Sequence, residues 1–281
     1  MATFYNQATL SYNGNVTSSN ITTGELLELL SVSKTAVDSE YWLNENNTYV
    51  ISIINSGSSS YSNLTVTDDL GSYPYGSGEL VPLSYDADSV MYYINGTLQP
   101  SPAVASVSPL TFTGISVPAG GNAFIVYTAS ANAYAPLGQD GAITNTVTVT
   151  GGASTASAQE TVYARSEAQL TISKSLNPTV ITENGRLTYT FVIQNYGNTA
   201  IVAADDAMVN DTFDPVLSAL DVNFNGTAWT AGINYSYNSA AGLFATAPGQ
   251  ITVPAAEYTQ DASGAWIITP GVSVLTVTGT I

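Results

Sequence analysis

Short runs in which apolar and polar residues alternate fill the chain: ATLSY, TYVISII, NLTVT, AFIVYTA, TNTVTVT, QLTIS, LTYTFVI and VSVLTVTGT. A period of two puts every second side chain on one face of an extended strand. Each run is bounded by Gly, Pro, Asn, Asp or Ser. The pattern therefore predicts many short strands joined by turns, the signature of an all-β sandwich. The only helix-like stretch is GELLELL after Thr22 and Thr23, and LLELLSVS reads equally well as a strand leading into Lys34.

The strands recur as an internal repeat. SVSKTAVDSEYWLNENNTYVISIINSG, from Ser31 to Gly57, matches TISKSLNPTVITENGRLTYTFVIQNYG, from Thr171 to Gly197, without a gap. At one constant offset, Lys34 matches Lys174, Tyr49 matches Tyr189, Ile53 matches Ile193 and Asn55 matches Asn195. VTDDL around Asp68 then answers VNDTF around Asp211, and INGT at Asn95 answers FNGT at Asn225. The first copy closes with ITNTVTVTG, which contains Asn145, whereas the second stops at Ile281 before that strand is reached.

The same pattern occurs at the start of the chain, in FYNQATLSYNG with Asn6. To within a single position, Lys34 follows Asn6 at the spacing with which Lys174 follows Asn145. Two tandem all-β sandwiches are therefore expected, the second lacking its last strand, with an N-terminal donor strand. The expected boundaries are 1–24 for donor strand and linker, 25–163 for the first sandwich and 164–281 for the second. A sandwich without its last strand exposes unpaired backbone N–H and C=O groups and a strip of core. Phe4–Tyr12 of another copy, presenting Phe4, Asn6, Ala8, Leu10 and Tyr12, would fill that edge by strand addition. Donor and acceptor lie at opposite ends, so the contact would propagate head to tail. Two alternatives stand beside it. The segment could close its own second domain, with Asn15 to Glu25 spanning the first, or it could simply pair with the first domain.

Composition narrows the function. The 281 residues suffice for two domains of roughly 100–140 residues. Asp and Glu number 21 against four Lys and Arg, for a net charge of −17 and a pI of about 4.1. That balance argues against nucleic acid, whose binding rests on cationic side chains, and against anionic membranes. With no His and no Cys, Ser-His-Asp and Cys-His catalysis, His- or Cys-ligated zinc and disulfides are ruled out. No apolar run is long enough to span a bilayer, and MATFYNQATLSYNG does not read as a secretory signal. Acidic pairs at Asp68-Asp69, Asp86/Asp88 and Asp205-Asp206 lack calcium-loop spacing and read as solvated loop charges. No cofactor or metal site is expected.

The only two lysines, Lys34 and Lys174, occupy the same repeat position. Each copy also carries an Asp (Asp68, Asp211) and an Asn (Asn145, and Asn6 from the donor strand). This is the inventory for a spontaneous amide crosslink. A desolvated lysine loses its charge and becomes a nucleophile, a buried acid held protonated polarises the carboxamide, and ammonia leaves. Lys34–Asn145 would close the first domain, and Lys174–Asn6 would join neighbouring subunits. The alternative is that the lysines form ordinary salt bridges and the asparagines cap turns. Asp69 is a rival to Asp68, and Asp205 or Asp206 to Asp211.

KSLNPTVITENGRLTYTFVIQNYGNTA, VNDTFDP and ITNTVTVTG together resemble the tandem repeat of domain-of-unknown-function family eleven, over nearly the whole chain. The resemblance implies an immunoglobulin-like sandwich with a structural, extracellular role on bacterial or archaeal surfaces and no catalysis on external substrates. VTDDLG departs from the family by lacking its usual Pro. The Lys, Asp and Asn set resembles the crosslinking triad of collagen-adhesin B-type and pilin domains, with Asp68 and Asp211 as the promoting acids. The reading is a fibre subunit at a bacterial cell or spore surface, a homopolymer with a base or tip protein as a further candidate partner. The rivals are a monomeric surface adhesin or carbohydrate-binding module, and a hydrolase using paired carboxylates.

Overall fold

The structure, a computed structural model, describes residues 2–26, 29–152 and 154–281. They form an almost entirely β chain that divides into two compact units, one of residues 1–132 with 143–162 and one of 163–281 with 133–142. Among the described residues no helix is long and apolar enough to cross a membrane.

The first unit is a sandwich of two six-stranded sheets. One runs Thr97–Gln99, Met91–Ile94, Asn122–Ala131, Asn46–Asn55 and Leu30–Ala36, with Leu83–Tyr85 also against Asn122–Ala131. The other runs Ala103–Val107, Leu110–Val117, Tyr61–Asp68, Ala142–Gly151, Ser154–Ala164 and Glu40–Tyr41. The alternation in the sequence becomes alternation in burial: Tyr49, Ile51 and Ile53 face in from one sheet, and Leu64, Val66, Phe112, Val147 and Val149 from the other. Each fully buried side chain of this size contributes roughly 1.5–3 kcal/mol of transfer free energy. Ala142–Gly151, the closing strand, seals the core by pairing with Tyr61–Asp68 in the register Val147 to Asp68 and Val149 to Val66.

The second unit repeats one sheet and part of the other. Its complete sheet runs Leu170–Asn177, Arg186–Asn195, Gly271–Thr280, Ser218–Phe224 and Thr227–Trp229. The second sheet has three strands, Asn210–Thr212, Leu243–Thr246 and Tyr235–Asn238. Leu187, Tyr189, Phe191, Phe213, Phe244, Leu275 and Val277 form its core. Tyr61–Asp68 is paired on both edges in the first unit, whereas Asn210–Thr212 pairs only with Leu243–Thr246 among the described residues. The second sandwich therefore has no counterpart of the closing strand there, as the repeat predicts.

The N-terminal segment differs from the expected strand and linker. Ala2–Asn6 pairs with Thr22–Leu26, and Thr9–Tyr12 with Asn15–Ser18, so residues 2–26 form a long hairpin. Asn13 and Gly14 make its two-residue turn with φ of 47° and 80°, the left-handed geometry that an Asn-Gly pair adopts at little cost. The stretch read as helix-like is strand over Thr22–Leu26 and again over Leu30–Ala36, while Leu27 and Glu28 lie outside the described residues. Every side chain from Phe4 to Thr23 is exposed.

Candidate crosslinking sites

Three strands aim one polar side chain each into the core of the first unit. Leu30–Ala36 buries Leu30 and Lys34, Tyr61–Asp68 buries Leu64, Val66 and Asp68, and the closing strand buries Ile143, Asn145, Val147 and Val149. Lys34 and Asp68 have fully buried side chains, with Nζ 2.5 Å from Asp68 Oδ2. Asp68 Oδ1 accepts the Leu70 N–H at 3.0 Å, and Oδ2 accepts the Tyr127 hydroxyl at 2.7 Å. Asn145 Nδ2 donates to that same hydroxyl at 3.1 Å, while Asn145 Oδ1 is buried with no hydrogen-bond partner. The rings of Tyr49 and Tyr127 stack at 5.5 Å and lie 5.4 and 5.9 Å from Lys34 Nζ.

Desolvation dominates the electrostatics. Burial pushes the Lys34 amine below the ordinary lysine value of 10.5, with Asp68 pulling the other way. Burial likewise pushes the Tyr127 hydroxyl well above its ordinary value, reinforced by the Asp68 charge. Tyr49 is raised for the same reasons, burial first. Removing charged groups from water costs several kcal/mol per ion, so this cluster holds because its members compensate one another. The orphaned Asn145 carbonyl adds about 1–3 kcal/mol of unrelieved cost. The site thus brings together a deprotonatable amine, an acid and a carboxamide whose oxygen lacks a donor.

The second unit holds the same first pair in a different setting. Lys174 Nζ contacts Asp211 Oδ2, but its side chain is 38% exposed and that of Asp211 17%. The ammonium lies 4.3 Å from the Tyr189 ring centroid and 5.4 Å from that of Phe213, and those two rings stack at 4.9 Å. Strand register places Tyr127 opposite Tyr49, and Val277 opposite Tyr189, so the second site has no hydroxyl in the place of Tyr127. Beside Asp211, a groove of 630 Å³ is lined by Asn210, Thr212, Leu243, Phe244 and Ala245. Asn6 lies on the exposed hairpin, opposite Thr22, whose hydroxyl donates to the Asn6 carbonyl at 3.2 Å.

The rival acids are engaged elsewhere. Asp69 Oδ1 accepts the N–H groups of Gly71 and Thr146, both at 2.8 Å, and fixes the turn after Asp68. Asp205 Oδ2 accepts the Val202 N–H at 2.8 Å, and Asp206 sits at that short turn's end with φ of 50°. Tyr127 was not legible as a participant in the sequence, although Tyr49 and Tyr189 matched across the repeat. Only strand pairing brings its hydroxyl between Asp68 and Asn145.

No known family model matches the chain, and no curated protein matches it. Among solved structures it is similar to the pilus backbone RrgB of Streptococcus pneumoniae, at 8% identity and a TM-score of 0.35, over 86% of this chain and 55% of that one. It is also similar to BcpA, the major pilin subunit of Bacillus cereus, at 10% identity and a TM-score of 0.39, over 96% of this chain and 73% of that one. A third is ACE19, the collagen binding subdomain of the Enterococcus faecalis surface protein ACE, at 8% identity and a TM-score of 0.30, over half of this chain and all of that one. The chain spans little more than half the length of the first of these.

Proposed function

We propose that the chain is a structural subunit of an extracellular fibre of the pilus or spore-appendage type, with no turnover of an external substrate. Subunits join head to tail when residues 4–12 of one copy enter the second sandwich of the next. The observation that carries this is the contrast between the two lysine sites. The first is sealed by a strand bearing Asn145, the second has the matching edge unpaired among the described residues, and residues 4–12 repeat the sealing strand's pattern. Aligned on the two asparagines, Phe4, Ala8 and Leu10 take the positions of Ile143, Val147 and Val149, which are 2%, 0% and 0% exposed. Phe4, Leu10 and Tyr12 are instead 58%, 62% and 57% exposed, an apolar face without cover on the hairpin itself.

The buried Lys34, Asp68 and Asn145 of the first unit support the following chemistry. In the neutral form of the pair, Asp68 holds the proton and Lys34 presents a lone pair to Asn145 Cγ. A new C–N bond forms as Cγ–Nδ2 breaks. Asp68 polarises the orphaned Oδ1, then relays a proton from the attacking nitrogen to the leaving one. One amine and one carboxamide become one secondary amide and one ammonia, without oxidant or reductant. Lys34 belongs to one sheet and Asn145 to the other, so the bond staples the sandwich across its core. Lys174, Asp211 and an incoming Asn6 would do the same between subunits.

The test is denaturing electrophoresis of boiled protein with intact-mass measurement. A ladder in which each added subunit is lighter by two ammonia supports both bonds and the fibre. A monomer at its full calculated mass overturns the crosslinks and returns both lysines to salt bridges.

A further inference from the structure

We propose that the joint between subunits is made by a hairpin rather than by a single strand, and that Thr22–Leu26 of the incoming copy adds to Val180–Ile181 of the acceptor. This rests on the donor-strand reading above and extends it to a second surface.

The first unit supplies the template. Its closing strand is not the edge of the sheet: the order continues to Ser154–Ala164 and then to Glu40–Tyr41. The returning strand of the closing hairpin is thus clamped by a short segment that follows the lysine strand, and Tyr41 there is 2% exposed. In the repeat, Glu40 and Tyr41 correspond to Val180 and Ile181, at the same offset that relates the two lysines. Val180 is 87% exposed, the most exposed of the large apolar side chains among the described residues, and no described strand pairs with it. Ile181 already packs against the core of the second unit. Among the described residues, the second sandwich therefore leaves without a strand partner both the edge of Asn210–Thr212 and the non-strand stretch at Val180–Ile181, the two places that the closing hairpin covers in the first.

The occupant matches in form. Residues 2–26 are a hairpin already, with Asn6 opposite Thr22 and Phe4 opposite Gly24. A Cβ added at Gly24 would lie 2.4 Å from the Phe4 ring, so the aromatic ring rests directly on the returning strand and ties it to the donor strand. A unit folded before docking loses less conformational entropy on binding than a free strand does. Pulling Ala2–Asn6 alone into the acceptor would also break its pairing with Thr22–Leu26. Entry as a hairpin keeps those hydrogen bonds and adds a second row.

The chain has no cysteine, which makes disulfide trapping clean. One full-length chain carries Val180→Cys, and differently tagged chains carry Thr22→Cys or Thr23→Cys. After co-assembly and mild oxidation, a reducible bond joining the two tags is expected within the polymer. A polymer that forms normally with no such bond at either position overturns the hairpin joint and leaves strand insertion standing. Failure of the parent chain to polymerise overturns both. A second variant, Val180→Asp, is expected to lower polymer yield severalfold while leaving the Lys34–Asn145 mass loss unchanged; an unchanged yield counts against the joint.

Discussion

Lys34 and Lys174 occupy one repeat position on matching strands, each beside an aspartate and above a stacked aromatic pair, yet one is dry and the other wet. Their own strands do not decide this. In the first unit the closing strand lays Ile143, Asn145, Val147 and Val149 over the site, and the lysine side chain is fully buried. In the second no strand occupies that edge among the described residues, and the lysine is 38% exposed. Under the proposed chemistry, reactivity in such a site would be conferred by the strand that closes it, which carries the electrophile and expels water at once. Under the proposed assembly, such a chain would hold its second lysine unreactive until a partner docks.

The largest effect is expected from removing the strand that would erase the contrast. Deleting residues 1–13 should abolish polymer and leave monomers or amorphous aggregate, seen by electron microscopy and sedimentation. Asn6→Ala should separate docking from bonding: fibres assemble but fall to monomers in boiling detergent. In the first unit, Asn145→Ala should cost about 4–5 kcal/mol, the chain-entropy value for a crosslink closing a loop of roughly 100 residues. Denaturant unfolding measures it, and the variant should weigh its full calculated mass, with no ammonia lost in the first unit. Tyr127→Phe should make the first site resemble the second, slowing bond formation about tenfold, the rate equivalent of one hydrogen bond of about 1.4 kcal/mol. Intact mass at timed points after refolding reads that rate.

The smallest effect concerns pH in the unbonded Asn145→Ala protein. Folded Lys34 has its pKa lowered, so below 10.5 the unfolded chain binds more protons than the folded one at this position. Stability should therefore rise as pH climbs through the window between that lowered value and 10.5. Above about 10 the trend should reverse, because Tyr49 and Tyr127 are raised and keep protons that unfolded tyrosines release. Thermal unfolding across alkaline pH, with Lys34→Met in the same background as reference, isolates the lysine's share.

Much of this was legible in the chain itself. Period-two alternation marks the strands, and in L-T-V-T-D it already puts Asp68 on the face of Leu64 and Val66, which is why Asp68 rather than Asp69 meets the lysine. The returning half of the N-terminal hairpin was harder to see. Asn15 to Thr23 are mostly polar and read as linker, although Asn13-Gly14 between alternating runs is a strong hairpin signal. Nothing in YTA around Tyr127 announces its hydroxyl as the bridge between acid and amide. That relation exists only once Asn122–Ala131 has paired with Asn46–Asn55 and the other sheet has closed over it.

The placement of the lysines just after each asparagine-bearing hairpin has a mechanical consequence. With both bonds made, tension entering a subunit at Asn6 would follow the backbone to Lys34, cross to Asn145, continue to Lys174 and pass into the next copy. Only two stretches of backbone, Asn6 to Lys34 and Asn145 to Lys174, would lie on that path. At about 3.5 Å per extended residue, the two together would reach a limit of about 200 Å per subunit. Everything between Lys34 and Asn145, and everything after Lys174, would hang from that covalent thread as folded ballast, spared the pull. A fibre of such subunits would behave less like a string of springs than like a chain with short, pre-set slack in every link.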